Sequence, residues 1–263
     1  MGLLKMRDLE KYQADYVALP FEPQQALYRK RLVVEHLIKH RARRILEVGC
    51  GLDPLFTAYT DFDTLHIVEP SAAFHEIALE KCRGRQGVHL YAGTLEQNIA
   101  ALSREHFDFI LLSGLLHEVE RPEQILAAVR PHCREHTIVQ AIVPNAKSLH
   151  RVLALEMGLI GSLYTLSPMQ NALQQHRTFD LERLASLMTQ GGFSVFDSGS
   201  FFIKPFTHAQ MDELMASGLV TQQMLDGFYA LGRHLPGFGS EIFVNARIRE
   251  SAASKSGLNR EST

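Results

Sequence analysis

Arg43-Arg44-Ile45-Leu46-Glu47-Val48-Gly49-Cys50-Gly51-Leu52-Asp53 decides the fold. The apolar run Ile45, Leu46, Val48 closes on Gly49-Cys50-Gly51, and Asp53-Pro54 then supplies a helix N-cap and a first helical residue. A strand, a tight turn and a helix start form the arrangement in which α/β proteins hold nucleotide-like ligands. In a dinucleotide fingerprint G-x-G-x-x-G the third glycine would fall on Pro54. Proline has no N–H to give a pyrophosphate, and its ring blocks close approach. Glu47, an acid inside the strand, would repel a pyrophosphate but suits a cation. The turn therefore fits a ligand bearing an ammonium or sulfonium, and an NAD(P) oxidoreductase is disfavoured.

Outward from this turn, strands alternate with helices. A helix follows Pro54, and a second strand ends at Glu69. A helix over 72–81 and strands over 88–91 and 107–112 come next, then a helix over 123–129 and a strand over 137–143. A helix over 181–189, capped by Asp180, leads to a sixth strand within 193–203, and the last strand covers 241–248. This alternation predicts an α/β, doubly wound, mainly parallel seven-stranded sheet. Residues 1–40 read as an N-terminal helical cap, with helices over 5–15 and 24–39. Leu27, Val34, Leu37 and Ile38 are expected to face the body. Two additions, 146–179 and 205–239, interrupt the main domain, 41–248. They leave strands five and six at the carboxyl edge, where open sheets bind ligands. With the N-terminal helices they are expected to form a lid. The polar tail 249–263 is expected to be disordered.

The bulk properties are those of an ordinary globular chain: 263 residues, 46% hydrophobic, 21% charged, formal charge −2. No run approaches the ~18 apolar residues of a membrane span. The N-terminus lacks the apolar core of a signal peptide. Three widely spaced cysteines argue against a disulfide framework and a zinc site, and point to a reducing cytoplasm. The near-neutral charge gives no footprint for nucleic acid. The basic clusters Arg29-Lys30-Arg31 and 41–44 read as solvated faces near a helix C-terminus.

Glu47-Val48-Gly49-Cys50-Gly51 resembles the E-x-G-x-G signature of class I S-adenosylmethionine (SAM)-dependent methyltransferases. Three further elements match in order. Glu69 lies 18 residues after Gly51, ending Leu65-His66-Ile67-Val68. Asp108-Phe109-Ile110-Leu111-Leu112-Ser113 is followed by Leu116-His117-Glu118-Val119. Gly192-Phe193-Ser194-Val195 closes the series. The resemblance covers about residues 40–248, and it departs at Asp53, where many members carry a third glycine. It implies a Rossmann-like fold with SAM as cofactor and S-adenosylhomocysteine (SAH) as product. It also implies a cofactor site built from Glu47, Gly49, Cys50, Gly51, Glu69, Pro70, Thr94, Leu95, Ser113 and Gly114. Within that site Glu69 holds the ribose hydroxyls, Thr94-Leu95 flank the adenine, and Ser113-Gly114 meet the methionyl part.

Methyl transfer from a sulfonium chiefly needs alignment, worth ~7–11 kcal/mol of barrier, and a base if the acceptor is protonated. His117 and Glu118 follow strand four, where related enzymes place side chains near the transferred methyl. Histidine titrates near neutrality, although a packing role for His117 fits the sequence equally. His176 and His208, one in each addition, are weaker candidate bases. Tyr16, Tyr28, Asn145 and Tyr164 are candidates for binding a substrate. No H-x-H, D-x-D or cysteine cluster suggests a metal. The expected activity is metal-independent methyl transfer to an oxygen or nitrogen of a small molecule in a closed pocket. A protein or peptide methyltransferase and a non-catalytic SAM-binding protein are the alternatives. Neither nucleic acid nor membrane is an expected partner, and a homodimer is left open.

Overall fold

A computed structural model of the chain describes residues 8–249. The first residues of the expected 5–15 helix, and the tail beyond Arg249, lie outside the described residues. Two helices, α1 (Leu9–Val17) and α2 (Glu22–His40), precede the sheet. Then follow β1 (Arg44–Val48), β2 (Thr64–Glu69), α3 (Ala72–Lys81), β3 (Val88–Ala92), α4 (Leu95–Asn98), β4 (Phe109–Ser113), α5 (Pro122–Val129) and β5 (Ile138–Pro144). The first addition holds α6 (Leu149–Glu156) and α7 (Pro168–Ala172), and α8 (Leu181–Gln190) leads into β6 (Phe193–Phe201). The second addition holds α9 (His208–Ala216) and α10 (Gln222–Leu231) before β7 (Glu241–Ile248).

The seven strands order as β3-β2-β1-β4-β5-β7-β6. β7 runs antiparallel between β5 and β6, while the other pairings are parallel. Both faces are covered, as a parallel sheet requires. Leu46, Ile110, Leu112 and Val139 pack under α5 and α8. Ile45, Ile67, Phe109 and Leu111 pack under α2, α9 and α10. Side-chain caps fix where helices begin: Ser71 accepts from the Phe74 N–H, Asp180 from Arg183 and Thr207 from Gln210.

Two sequence expectations are corrected. α2 does not turn Leu27 and Ile38 inward; these are 52% and 62% exposed, and the buried face is Gln25, Tyr28, Leu32, Val33, His36 and Leu37. The aliphatic stripe misleads because polar side chains occupy the inner face. No α-helix follows Pro54 either: a single 3-10 turn, Leu55–Thr57, carries the chain instead. The Asp53 carboxylate that would cap a helix is instead taken by Lys30 and by the Thr57 hydroxyl, and the Leu55 N–H donates to Glu47.

Candidate functional site

At the carboxyl edge the glycine turn adopts conformations that L side chains rarely take, with φ of 81° at Gly49 and 55° at Gly51. A Cβ at either glycine would meet no atom within 4 Å, so the turn's backbone is open to a ligand. Its N–H groups are not aligned by a helix but held by an acid. Glu69 Oε2 accepts from the N–H groups of Cys50 (2.9 Å) and Gly51 (3.1 Å), and its Oε1 accepts from Ser71 (2.9 Å). An ionised carboxylate offers about four acceptor positions, so one remains for a further donor such as a ribose hydroxyl.

Two lysines fasten the turn from outside. Lys30 of α2 pairs with the Asp53 carboxylate and donates to the Asp53 carbonyl at 2.6 Å, and Lys81 of α3 donates to the Leu52 carbonyl at 2.8 Å. Asp53 thus anchors a helix elsewhere rather than capping one of its own. Glu47 accepts from the Leu55 N–H at 3.0 Å. Burial pushes its carboxyl up to about 8, against the lowering pull of that bond and of Lys30. Cys50 is buried, and burial with two nearby carboxylates drives its thiol well above the ordinary range, which makes it a small wall residue rather than a nucleophile.

The turn opens into a cavity of about 1240 Å³. Glu47, Gly49, Cys50, Gly51, Glu69, Pro70, Thr94, Leu95, Ser113 and Gly114 all line it, as do His117, Glu118, Tyr16, Asn145, His176 and His208. His117 is buried, with Nε2 at 3.7 Å from Glu118 Oε1, and its carbonyl accepts from the His176 N–H at 3.0 Å. His176 itself is exposed. The Thr94 hydroxyl caps α4. Asn145 uses both amide hydrogens on the carbonyls of Gly237 and Gly239, each at 2.8 Å, so its amide joins two loops. Two expected substrate residues stand apart from the cavity. Tyr28 is stacked at 4.5 Å on Phe202 and donates to Asp226. Tyr164 donates to Asp180 at 2.6 Å beneath Arg183. Tyr28 thus joins α2 to α10, and Tyr164 ties the loop before α7 to the start of α8.

A buried polar cluster on the cavity wall escaped the sequence reading. Arg29, expected on a solvated face, lies between two carboxylates, 2.6 Å from Glu241 and 3.2 Å from Glu22. Burial opposes ionisation of Glu22, but Arg29, His208 and the Tyr16 hydroxyl at 3.0 Å outweigh it and hold the carboxyl at about 2. Glu241 shares the same guanidinium, and burial keeps its carboxyl above the ordinary range. Gln25 donates to Ser240 at 2.8 Å beside them. Lys204, with burial pressing its ammonium down to about 8, completes the group next to His208. The available signal was the spacing 22, 25, 29, 32, 36 along α2, a core-facing period in which only Leu32 is apolar.

A family model described as "Methyltransferase domain" matches residues 22–198. No curated protein matches the chain in sequence. Among solved structures, the plantazolicin methyltransferase BpumL in complex with SAH superposes with a TM-score of 0.56 at 14% identity, covering 93% of this chain and 92% of that one. A SAM-dependent methyltransferase from Thermotoga maritima gives 0.53 at 18% identity, covering 84% and 98%. The [4+2]-cyclase SpnF gives 0.54 at 17% identity, covering 87% and 83%. These likenesses show the fold. The chain belongs to the methyltransferase family that the matching model describes.

Proposed function

We propose that the protein transfers a methyl group from SAM to an oxygen or nitrogen of a small molecule enclosed in the cavity, without a metal ion. The observation that carries this reading is continuity. The glycine turn, α1, α2, both additions and the segment after β4 all contribute to one cavity of about 1240 Å³, larger than the ~300–1,000 Å³ of a single drug-sized site. A cofactor and a small acceptor fit such a space together, and a folded protein substrate does not. Among the described residues no group of His, Cys, Asp and Glu side chains gathers to hold a metal.

When bound, SAM supplies a methyl group already activated on a sulfonium. In our reading the backbone of Gly49–Gly51, Glu69 and Thr94–Leu95 hold the nucleoside, and Ser113–Gly114 the methionyl part. Glu47 faces the cationic end, where a nearby positive charge would favour its ionised form. His117 takes the proton that the acceptor loses, steadied by Glu118. α1 and the two additions exclude water. Incubation of the protein with labelled SAM and a metabolite extract in the presence of a chelator tests the reading. Label is expected in a small-molecule fraction. SAH binding without any labelled product would make this a SAM-binding protein only, and label in protein alone would favour a peptide acceptor.

A further inference from the structure

Lys204 is 1% exposed, and lysine is almost never buried so completely unless it is paired. It follows β6 and lines the cavity. Among the described residues its ammonium has one polar neighbour, His208, with Nζ 3.1 Å from Nδ1. His208 Nε2 lies 3.6 Å from Glu22 Oε2. That geometry assigns the proton to Nε2 and leaves Nδ1 to accept from the lysine. An ammonium has three donors, and His208 takes one. The carboxylates nearest in charge, Glu22 and Glu241, both pair with Arg29 through Oε1, and Glu241 Oε2 is buried without a hydrogen bond.

Beside Lys204 the wall continues with more donors lacking an anion. Among the described residues the Arg151 guanidinium meets neutral partners only, the carbonyls of Leu163 and Thr165 at 2.8 Å and Gln170 Oε1 at 3.3 Å, and its Nε is buried without a hydrogen bond. His150 Nδ1 is likewise buried without one. Burial lowers all three bases, yet Lys204, at about 8, remains a cation at neutral pH. Much of the remaining lining is apolar, including Leu9, Val17, Leu19, Met169 and Leu173. Glu22 and Glu241 favour the ammonium from a distance, but neither accepts its hydrogens, and buried donors left without acceptors are costly.

We propose that the methyl acceptor is a small acid, an apolar body carrying a carboxylate that pairs with Lys204 beside His150 and Arg151. This deepens the methyl-transfer reading and rests on it. Such a carboxylate supplies acceptors for the two remaining ammonium hydrogens in short, charge-assisted bonds. A second source of the same chemistry is the methionyl carboxylate of the cofactor.

The test uses benzoate, 3-phenylpropanoate and octanoate, each compared with its primary amide, titrated into protein saturated with SAH. The acids are expected to raise the melting temperature more than the amides do. They should bind Lys204→Met ten- to a hundredfold more weakly, the scale of one charge-assisted bond. SAH affinity of that variant is expected to stay within about twofold of wild type. Without ligand, Lys204→Met should melt close to wild type, because the buried ammonium it removes makes a single hydrogen bond, to His208; this separates loss of the anion site from loss of the fold. Lys204→Arg should keep the preference for acids. The proposal falls if acids and amides protect alike, if no acid protects, or if Lys204→Met binds acids normally. It also falls if SAH affinity drops on the same scale, which would assign Lys204 to the cofactor. Failure of wild-type protein to bind SAH would refute the methyl-transfer reading instead, and the acid–amide comparison on ligand-free protein would still decide the charge preference of the cavity.

Discussion

Glu69→Gln removes one charge from a buried site while preserving side-chain size. The wild-type carboxylate accepts three backbone N–H groups, from Cys50, Gly51 and Ser71, at 2.9–3.1 Å. A primary amide has one oxygen to accept and an NH₂ that only donates. With its oxygen toward Cys50 and Gly51, the amide presents its NH₂ to the Ser71 N–H, donor against donor. One orphaned buried N–H costs ~1–3 kcal/mol, and losing charge assistance on the other two bonds costs ~1 kcal/mol each. The sum is ~3–5 kcal/mol, and the flipped amide, which orphans two N–H groups, does worse. At ~2–4 °C per kcal/mol for a domain of this size, the melting temperature should fall by ~6–20 °C. SAH should recover less of that stability than it adds to wild type, since the turn and the proposed ribose acceptor are impaired together. Differential scanning calorimetry with and without SAH reads both effects. A variant melting within ~2 °C of wild type, with unchanged SAH affinity, would falsify the role given to Glu69.

Glu47 gives a pH signature. Its carboxyl is raised to about 8, so its contribution to stability is full below the ordinary value near 4.5 and is lost as pH rises through 8. Wild-type melting should fall between pH 5 and 9 more steeply than that of Glu47→Gln, and affinity for cationic SAM should rise relative to neutral SAH over the same window; parallel curves for the two proteins would sink the argument. His117→Ala and His117→Gln should both lower kcat ~100-fold or more with SAH affinity preserved, and wild-type single-turnover rates in both would remove His117 as a base. Arg29→Met strands Glu22 and Glu241 as buried carboxylates and should cost ~3–5 kcal/mol. Adding Glu22→Gln and Glu241→Gln should restore most of the loss, measured by urea unfolding; an undiminished single variant would show that the cluster does not secure α2.

Strand and helix positions were legible because they rest on local signals. β7 and α3 fall on their expected residues, and Ser71 and Asp180 mark helix starts through caps that act within three residues. Glu69 was legible from its distance behind the glycine turn, although its hold on three turn N–H groups was not. What stayed hidden depends on contacts distant in sequence. Arg29 meets Glu241, 212 residues away; its place on the inner period of α2 sets it apart from Arg31, which is half exposed, but nothing local names its partners. Tyr28 and Tyr164 looked like pocket residues because aromatic hydroxyls suit both pockets and helix junctions. The missing helix after Pro54 follows from Lys30, in a distant helix, taking the Asp53 carboxylate that would have capped it, a contact that residue types alone do not reveal.

The lysine clamp on the glycine turn bears on how enzymes of this architecture exchange parts. Lys30 and Arg29 are neighbours in α2, yet one reaches Asp53 after β1 and the other Glu241 at the start of β7. A chimera that grafts another relative's first forty residues onto this sheet would leave Glu241 without Arg29 and Asp53 with only the more distant Lys81, at 3.8 Å, in a single stroke. The workable crossover carries those two acids with the graft, so the unit of recombination is discontinuous in sequence. Libraries meant to retarget the acceptor by shuffling the N-terminal segment should therefore be rich in inactive members unless positions 53 and 241 travel with it, and sequencing the active survivors would show that pairing directly.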